Sequence, residues 1–220
     1  MSRIALATVV CVAAAAVPAA ALADNPQLKP NAADQAAAKR AVVQLSDFRA
    51  GSGWKGGPTK GSSSGSPKCS FDPKESDLVQ TADALSSFTY KLPLLQIYSE
   101  ATMYQTAHMA QLSWQRARPG LLGFLRCLIR TSLPSNAKVV SVTPMSFPRF
   151  GSFVSAYRTI FDVIAGSTKL PMIIDVEFFG TGRTIFSLMQ FSPYDGADAV
   201  KAGETRLASA MSARADNFAA

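Results

Sequence analysis

The residues of this chain that could do chemistry are few, and most of the charged ones lie in its second half. Asp175 and Glu177 stand two positions apart in one predicted strand, so their carboxylates project from the same side, about 7 Å apart. Paired carboxylates can hydrolyse glycosides, but such a pair is more often a solvated face. If the sheet carries a ligand-binding groove, its candidate lining residues are Tyr157, Arg158, Asp175, Glu177 and Arg183, with Asp162 as a further charged candidate.

The same charged residues also fit a ladder of ion pairs between neighbouring strands. Arg158 belongs to a predicted strand and Arg183 stands where the last strand opens, both near the two carboxylates, and opposite charges on adjacent strands stabilise a sheet modestly. We favour the ladder and keep the ligand site as the alternative. Replacing either arginine by alanine separates the two, because only the ligand site predicts weaker ligand retention without a loss of thermal stability.

A serine-based active site is the other chemistry that the sequence suggests. Residues 61–65 read Gly-Ser-Ser-Ser-Gly, which has the form of a nucleophile elbow. That motif needs a buried strand before it and a helix after it, and neither pattern is present. The base would have to be His108, the sole histidine, and no carboxylate or nucleophile stands three or four positions from it. We therefore predict a surface or boundary histidine, no catalytic residue and no enzymatic activity.

The cysteines indicate a structural bond. Cys11 lies in an apolar N-terminal run, which leaves Cys69 and Cys127 as an even pair in an exported chain. A disulfide between them would stabilise the fold by about 4 kcal/mol in the loop-entropy model. Two cysteines and one distant histidine are too few ligands for a zinc site. We expect no metal and no cofactor.

The N-terminus has the features of an export signal. Arg3 precedes an apolar run from Ile4 to Val17, and Ala21-Leu22-Ala23 places small residues before polar Asp24. We predict cleavage after Ala23, with an uncleaved membrane anchor as the alternative. A lipoprotein is disfavoured because Cys11 lies inside the apolar run. The protein is then secreted or extracytoplasmic, with association with the cell envelope left open.

A lead-in and a single domain follow the signal peptide, and the domain contains one predicted exposed loop. Residues 24–33 are polar with two prolines and predict a flexible lead-in. Residues 34–220 are long enough for a single domain with a sizeable core. Within that domain, residues 51–68 are rich in glycine, serine, proline and lysine and predict an exposed loop, with Trp54 as its only large apolar residue.

The charge balance is moderately basic. Lysine and arginine number 22 against 15 aspartates and glutamates, a net charge of +7. Such a surface favours anionic lipids, acidic wall polymers or nucleic acid, but the positive residues are scattered and form no dense run. We interpret them as a solvated surface and expect no nucleic-acid partner. An envelope component remains the alternative partner to a small molecule.

The elements that must position these residues are organised around one β-hairpin. Two runs rich in Ile, Val, Phe and Met lie between Leu170 and Pro193, separated by Gly180-Thr181-Gly182-Arg183. In the first run, one face is apolar and the other carries the two carboxylates. The apolar face should be core; its residues are Met172, Ile174, Val176 and Phe178.

The remaining elements follow from periodicity. The sequence predicts a helix from Ala33 to Phe48 capped by Asn31 or Asp34, and a helix after Met103 that Pro119 breaks or kinks before it resumes at Leu121. A last helix spans Gly196 to Phe218. Further strands are predicted near 86–90, 94–103, 138–147 and 153–164. Strands grouped in runs with helices outside them indicate an α+β domain with a mainly antiparallel sheet, helices packed on it, and one disulfide.

Several short motifs in this order resemble the exported sensor-like domains of actinobacteria, of which the extracellular domain of PknH-type receptor kinases is the best-known type. The motifs are Gly53-Trp54, Cys69, Arg-Cys-Leu at Cys127, Ala-Tyr-Arg at 156–158 and Gly182-Arg183. The resemblance covers about Leu45 to Leu207. It implies an antiparallel sheet with helices against it, a groove for an unidentified ligand, and no established enzymatic activity. The chain departs from the kinase version in having one cysteine pair instead of two and no kinase domain.

Three functions are therefore compared. The preferred one is an exported, non-catalytic ligand-binding or sensor-like domain. The alternative is an interaction or structural protein of the cell envelope that uses its mildly basic surface. A hydrolase built on Asp175 and Glu177 or on the serine loop is the remote alternative.

Overall fold

The structure is a computed structural model of the chain that describes residues 26–59, 69, 73–90, 95–194 and 197–216. Eight strands, three α-helices and one 3-10 helix follow one another in this part of the chain. Their bounds are β1 Gln27–Leu28, α1 Ala32–Ala41, the 3-10 helix Leu45–Asp47, β2 Lys55–Thr59, β3 Val79–Thr89, β4 Gln96–Tyr104, α2 Ala107–Ser132, β5 Ala137–Met145, β6 Phe153–Ala165, β7 Thr168–Thr181, β8 Thr184–Pro193 and α3 Ala197–Asp216.

One sheet contains all eight strands. Its order is β1-β3-β4-β8-β7-β6-β5, and β2 also pairs with β3. Every pairing is antiparallel except that of β1 with β3. This arrangement, with the helices and the disulfide described below, confirms the predicted α+β class and its mainly antiparallel sheet.

Helices cover both faces of the sheet. Phe179 of β7 packs with residues of α1 and α3, such as Ala38 and Met211. The alternate β7 residues Ile174 and Val176 pack instead with residues of α2. We call these the α1/α3 face and the α2 face. The prediction that the row from Met172 to Phe178 is core is confirmed.

The prediction of a solvated face for Asp175 and Glu177 is wrong. Both side chains lie on the α1/α3 face and are completely buried. The alternation of side chains along β7 was predicted correctly. That alternation does not show whether a helix covers the second face of the strand. That face is covered here because α3 returns onto β7 and β8 from the far end of the chain.

The hairpin of β7 and β8 is longer than predicted and turns on two residues. Thr181 pairs with Thr184, so only Gly182 and Arg183 lie in the turn. Gly182 has a φ of 53°, which a glycine adopts without steric cost. Gly180 and Thr181, predicted as turn residues, extend β7 instead. The turn therefore presents Arg183 at one end of the sheet.

Helix α1 begins as predicted and ends earlier than predicted. The Asn31 side chain accepts hydrogen bonds from the backbone N–H groups of Ala33 (2.8 Å) and Asp34 (3.3 Å), so Asn31 is the N-cap. The helix ends at Ala41 rather than at Phe48. The apolar row continues past that end because Val42, Val43 and Phe48 are buried in a non-helical segment that packs on the same core.

Helix α2 is continuous through Pro119, where the sequence predicted a break or kink between two helices. The proline lies on the exposed side of the helix, where water can solvate the carbonyl of Gln115 that loses its helical partner. The runs before and after it bury the same stripe, including Trp114 and Leu121. Packing of that stripe on the sheet maintains one helix of 26 residues.

Two segments predicted to be irregular contribute strands. In the predicted lead-in, Gln27 N–H donates to the Leu78 carbonyl (2.8 Å) and Lys29 N–H to that of Gln80 (2.9 Å), which forms β1. In the predicted loop of residues 51–68, β2 pairs along β3 from Lys55 to Thr59. Both strands are formed by backbone hydrogen bonds, which the side-chain composition of a segment does not reveal. The polar and glycine-rich composition of these two segments therefore predicted loops.

The predicted disulfide is present. Cys69 and Cys127 are joined with an S–S distance of 2.02 Å and a Cα–Cα distance of 5.7 Å. The bond fastens α2 to the segment before β3. The predicted signal peptide and the serine motif at 61–65 lie outside the described residues. Among the helices that the structure describes, none combines the length and apolar character needed to cross a membrane.

Candidate functional site

Strands β6 and β7 place an ion pair on the α1/α3 face. Arg158 lies directly opposite Asp175 in the register. Its guanidinium donates two hydrogen bonds, Nε to Oδ1 (2.7 Å) and Nη2 to Oδ2 (2.5 Å). Asp175 is fully buried, while 23% of the Arg158 side chain is exposed. This bidentate geometry is the strongest form of an arginine–carboxylate contact, and it is one rung of the predicted ladder.

Helix α3 adds a third carboxylate to the pair on β7. Glu204 is completely buried. One carboxylate oxygen from each of Asp175, Glu177 and Glu204 lies within 4.8 Å of the others. We call these three residues the carboxylate cluster. The cluster lies between the sheet and α3, and it joins two elements that are separated along the chain by β8.

The two glutamates of the carboxylate cluster face each other. Both carboxylate oxygens of Glu177 and both of Glu204 are buried without another hydrogen-bond partner among the described residues. Burial, together with the charges of Glu204 and Asp175, raises the pKa of Glu177 well above its ordinary value. Burial is also the main cause that raises the pKa of Glu204 to about 8. Both shifts favour the protonated form of these two carboxyls.

The burial of the carboxylate cluster bears on the hydrolase alternative. A glycosidase needs two carboxyl groups that flank a bond of the substrate. Asp175 and Glu177 have no exposed surface, so neither can contact a substrate in this structure. Catalytic acids often have raised pKa values. The pKa of Glu177 is raised because the side chain is buried, and a substrate cannot reach it in this structure. What the cluster can do chemically is hold a small positive species, a proton or a metal ion.

The five predicted ligand-binding residues are not brought together. Arg158, Asp175 and Glu177 meet at the carboxylate cluster. Tyr157 is opposite Val176 and packs in the core of the α2 face, because neighbouring residues of a strand point to opposite faces. Arg183, in the hairpin turn, lies at one end of the sheet. The structure therefore does not gather these five residues into one surface groove.

Arg183 forms a different ion pair from the one predicted. Its guanidinium donates to both oxygens of Asp34 in α1, with Nη1–Oδ2 at 2.6 Å and Nη2–Oδ1 at 2.5 Å. These hydrogen bonds hold the pKa of Asp34 below its usual range, despite its burial. Asp34 had been predicted only as an alternative cap. Of the two arginines in the predicted ladder, only Arg158 forms an ion pair between strands. Arg183 instead joins the sheet to α1.

Glu204 is the cluster residue that sequence reasoning missed, although a signal was present. The predicted buried stripe of the last helix included Val200 and Leu207. Glu204 stands four residues after Val200 and three before Leu207, so it occupies a core position of that stripe. A charged residue in a buried row requires a partner. His108, in contrast, is exposed near the start of α2, as predicted.

A concavity beside Trp54 is the second candidate place. It has a volume of about 700 Å³, within the range of small-molecule sites. The segment between the 3-10 helix and β2 forms its wall. Its floor is aromatic, because the Trp54 ring stacks on that of Phe48 with 4.7 Å between centroids. Phe48, Arg49, Gly53 and Trp54 are among the lining residues. We call this feature the Trp54 concavity.

Comparisons with known proteins show similarity of structure. No protein-family model matches the chain, and no curated protein matches it in sequence. The extracellular domain of PknH from Mycobacterium tuberculosis is similar in structure, with a TM-score of 0.54 and 10% identity over 86% of this chain and 98% of that one. LpqN from the same organism, involved in cell envelope biogenesis, aligns over 76% of this chain and 94% of its own, with 12% identity and a TM-score of 0.30. The chain therefore shares the fold of the PknH extracellular domain, as the motifs predicted.

Proposed function

We propose that this protein is an exported, non-catalytic ligand-binding domain whose ligand occupies the Trp54 concavity. The observation that carries the proposal is the aromatic floor of a depression with a volume of about 700 Å³. An indole ring that is only partly buried offers a flat apolar surface for stacking. Proteins use such surfaces for ligands that have a ring or an apolar face.

The floor of the Trp54 concavity is held by contacts with the sheet. The Phe48 ring lies 5.1 Å from that of Phe88, a fully buried residue of β3. The Trp54 ring lies 5.4 Å from that of Tyr90, just after β3. Trp54 is therefore fixed before a ligand arrives, which reduces the entropy lost on binding. Arg49 is exposed on the wall and adds a cation. The ligand class that fits has a ring or apolar face and an anionic group.

Export is supported by the disulfide. A bond between Cys69 and Cys127 persists in oxidising compartments and is uncommon in the cytosol. The predicted signal peptide before Asp24 is consistent with this. A protein with the same fold is an extracellular domain, which also supports a location outside the cytoplasm. We therefore place the proposed binding activity there.

Native mass spectrometry tests the proposal. The protein is purified from the organism that encodes it, and its mass is measured before and after reduction. We expect a retained small molecule and a shift of two hydrogens on reduction. Trp54→Ala should abolish retention, whereas Tyr194→Ala, which removes another exposed aromatic ring, should not. An empty wild-type protein, or equal retention by the Trp54 variant, would contradict the proposed site.

A second candidate function is binding to an anionic envelope component through α2. This helix contains four arginines and no aspartate or glutamate. Arg116 pairs with Asp77, whereas Arg118, Arg126 and Arg130 are exposed. Such binding should weaken strongly as salt rises, and Arg118→Gln with Arg130→Gln should weaken it further. Envelope binding that does not respond to salt or to these substitutions would contradict this function.

A further inference from the structure

The carboxylate cluster contains more negative charge than its protein partners neutralise. Asp175, Glu177 and Glu204 carry three carboxylates, and among the described residues Arg158 forms a salt bridge with one of them. Its Nε and Nη2 both donate to Asp175. Lys201, exposed on α3, acts on Glu204 through its charge. When all three acids are ionised, the group has a net charge of −2. A divalent cation neutralises that charge in a place where water is excluded.

An independent observation concerns the hydrogen bonds of the cluster. Glu177 and Glu204 are both completely buried, and in the part of the chain that the structure describes none of their four carboxylate oxygens has a hydrogen-bond partner. Buried polar atoms in native proteins are nearly always satisfied by protein, water or a bound ion. Four unsatisfied oxygens that face one another across a helix–sheet interface therefore point to a missing positive partner.

The geometry of the oxygens fits one metal ion. Ca²⁺ binds oxygen at 2.3–2.6 Å, so oxygens on opposite sides of the ion lie about 4.6–5.2 Å apart. One oxygen from each residue of the cluster lies within 4.8 Å of the others, so all three can contact a single ion. The donors are all carboxylates, with no histidine or cysteine in the cluster. Such a donor set selects hard cations over zinc or copper.

We propose that Asp175, Glu177 and Glu204 form a binding site for a hard divalent cation, for which Ca²⁺ is the first ion to test. The ion would link β7 to α3 and so strengthen the docking of α3 on the sheet. The proposed cation site and the Trp54 concavity share no residue. The two proposals can therefore fail separately. The competing interpretation of the same oxygens is a proton shared by Glu177 and Glu204.

Calorimetry and thermal unfolding of the disulfide-bonded protein test the proposal. The protein is first treated with EDTA and passed over a chelating resin, and CaCl₂ is then added. We expect a stoichiometry of one Ca²⁺ per chain. The midpoint of unfolding should rise by about 5–10 °C at a concentration one hundred times the Kd. MgCl₂ and MnCl₂ titrations establish the order of preference among hard cations.

Two variants and one matched control connect the effect to the cluster. Glu177→Gln and Glu204→Gln keep the side-chain size and remove a buried acid, so both should fold, and both should lose the Ca²⁺ response. Glu75→Gln is the control. Glu75 is also a buried glutamate with an unpartnered oxygen and a pKa raised by burial, but it lies apart from the cluster. This variant should retain the full response.

Three outcomes would overturn the proposal. The first is that none of the three cations binds or shifts the unfolding midpoint, which would leave the shared proton as the role of the pair. The second is binding that persists unchanged in both Gln variants, which would place the ion elsewhere. The third is an equal loss of binding in the Glu75 variant, which would mean that the effect does not report on the cluster.

Discussion

Glu177 of β7 and Glu204 of α3 meet between the sheet and the helix, where their carboxyl groups face each other and have no other side-chain partner among the residues that the structure describes. Both side chains are completely buried. Buried acids in a protein core need a partner that neutralises them. The docking of α3 on the sheet therefore depends on a proton or a cation bound between these two glutamates.

The first prediction concerns the cost of this contact in the metal-free protein. Replacing Glu204 by methionine removes a buried acid and keeps its volume, so the free energy of unfolding at pH 7 in EDTA should rise by about 1–4 kcal/mol. Urea unfolding measures the change. Arg206→Met alters an exposed residue of the same helix and should change stability by less than about 0.5 kcal/mol. A destabilised Glu204→Met variant would show that the carboxylate has partners that stabilise it.

The second prediction concerns the Arg158–Asp175 pair. Arg158→Ala leaves the carboxylate of Asp175 buried without its partner, so it should lower the free energy of unfolding by about 3–5 kcal/mol. Arg116→Ala is the matched control, because the Arg116–Asp77 pair is more exposed (31% and 61%, against 23% and 0%) and its removal should cost about 0–1 kcal/mol. Similar losses of unfolding free energy in the two variants would argue that burial does not determine the strength of the Arg158–Asp175 ion pair.

The third prediction is a pH dependence that arises from Asp34. The hydrogen bonds from Arg183 lower the pKa of Asp34 in the folded protein. A depressed carboxyl pKa adds stability that is complete above the unfolded pKa of about 3.9 and is lost as pH falls through the lower folded value. Asp34→Asn should therefore cost about 1–2 kcal/mol at pH 7 and much less at pH 2.

Unfolding of wild type and Asp34→Asn at both pH values measures this difference. A double-mutant cycle with Arg183→Gln isolates the pair from other effects of the substitution. A cost that is the same at pH 2 and pH 7 would assign the loss to the helix end rather than to the ion pair.

The fourth prediction concerns the disulfide. Cys69 and Cys127 are 58 residues apart, so replacing both by serine should lower the free energy of unfolding by about 4 kcal/mol in the loop-entropy model. Wild type in a reducing agent should behave like the double variant. Equal stability of the oxidised and reduced proteins would mean that the unfolded chain is already restricted by other contacts.

Much of the architecture could be predicted because its signals are local. The alternation from Met172 to Phe179 predicted a strand of the hairpin and one core face. The apolar row from Trp114 to Leu121 predicted a helix, and only the tertiary structure shows that it continues through Pro119. Asn31 was predicted as one of two caps, and it is the residue that accepts the N-terminal hydrogen bonds of α1. Each of these inferences uses residues that are near in sequence.

The candidate site could not be predicted in the same way, because its contacts join distant segments. The sequence by itself determined which residues of β7 share a face, and the spacing of Glu204 between Val200 and Leu207 was a signal that the sequence analysis did not use. Only the tertiary structure decided that α3 covers Asp175 and Glu177, and that Arg183 pairs with Asp34. The physical reason is that side-chain periodicity is set by local backbone geometry, whereas burial depends on which element packs against each face.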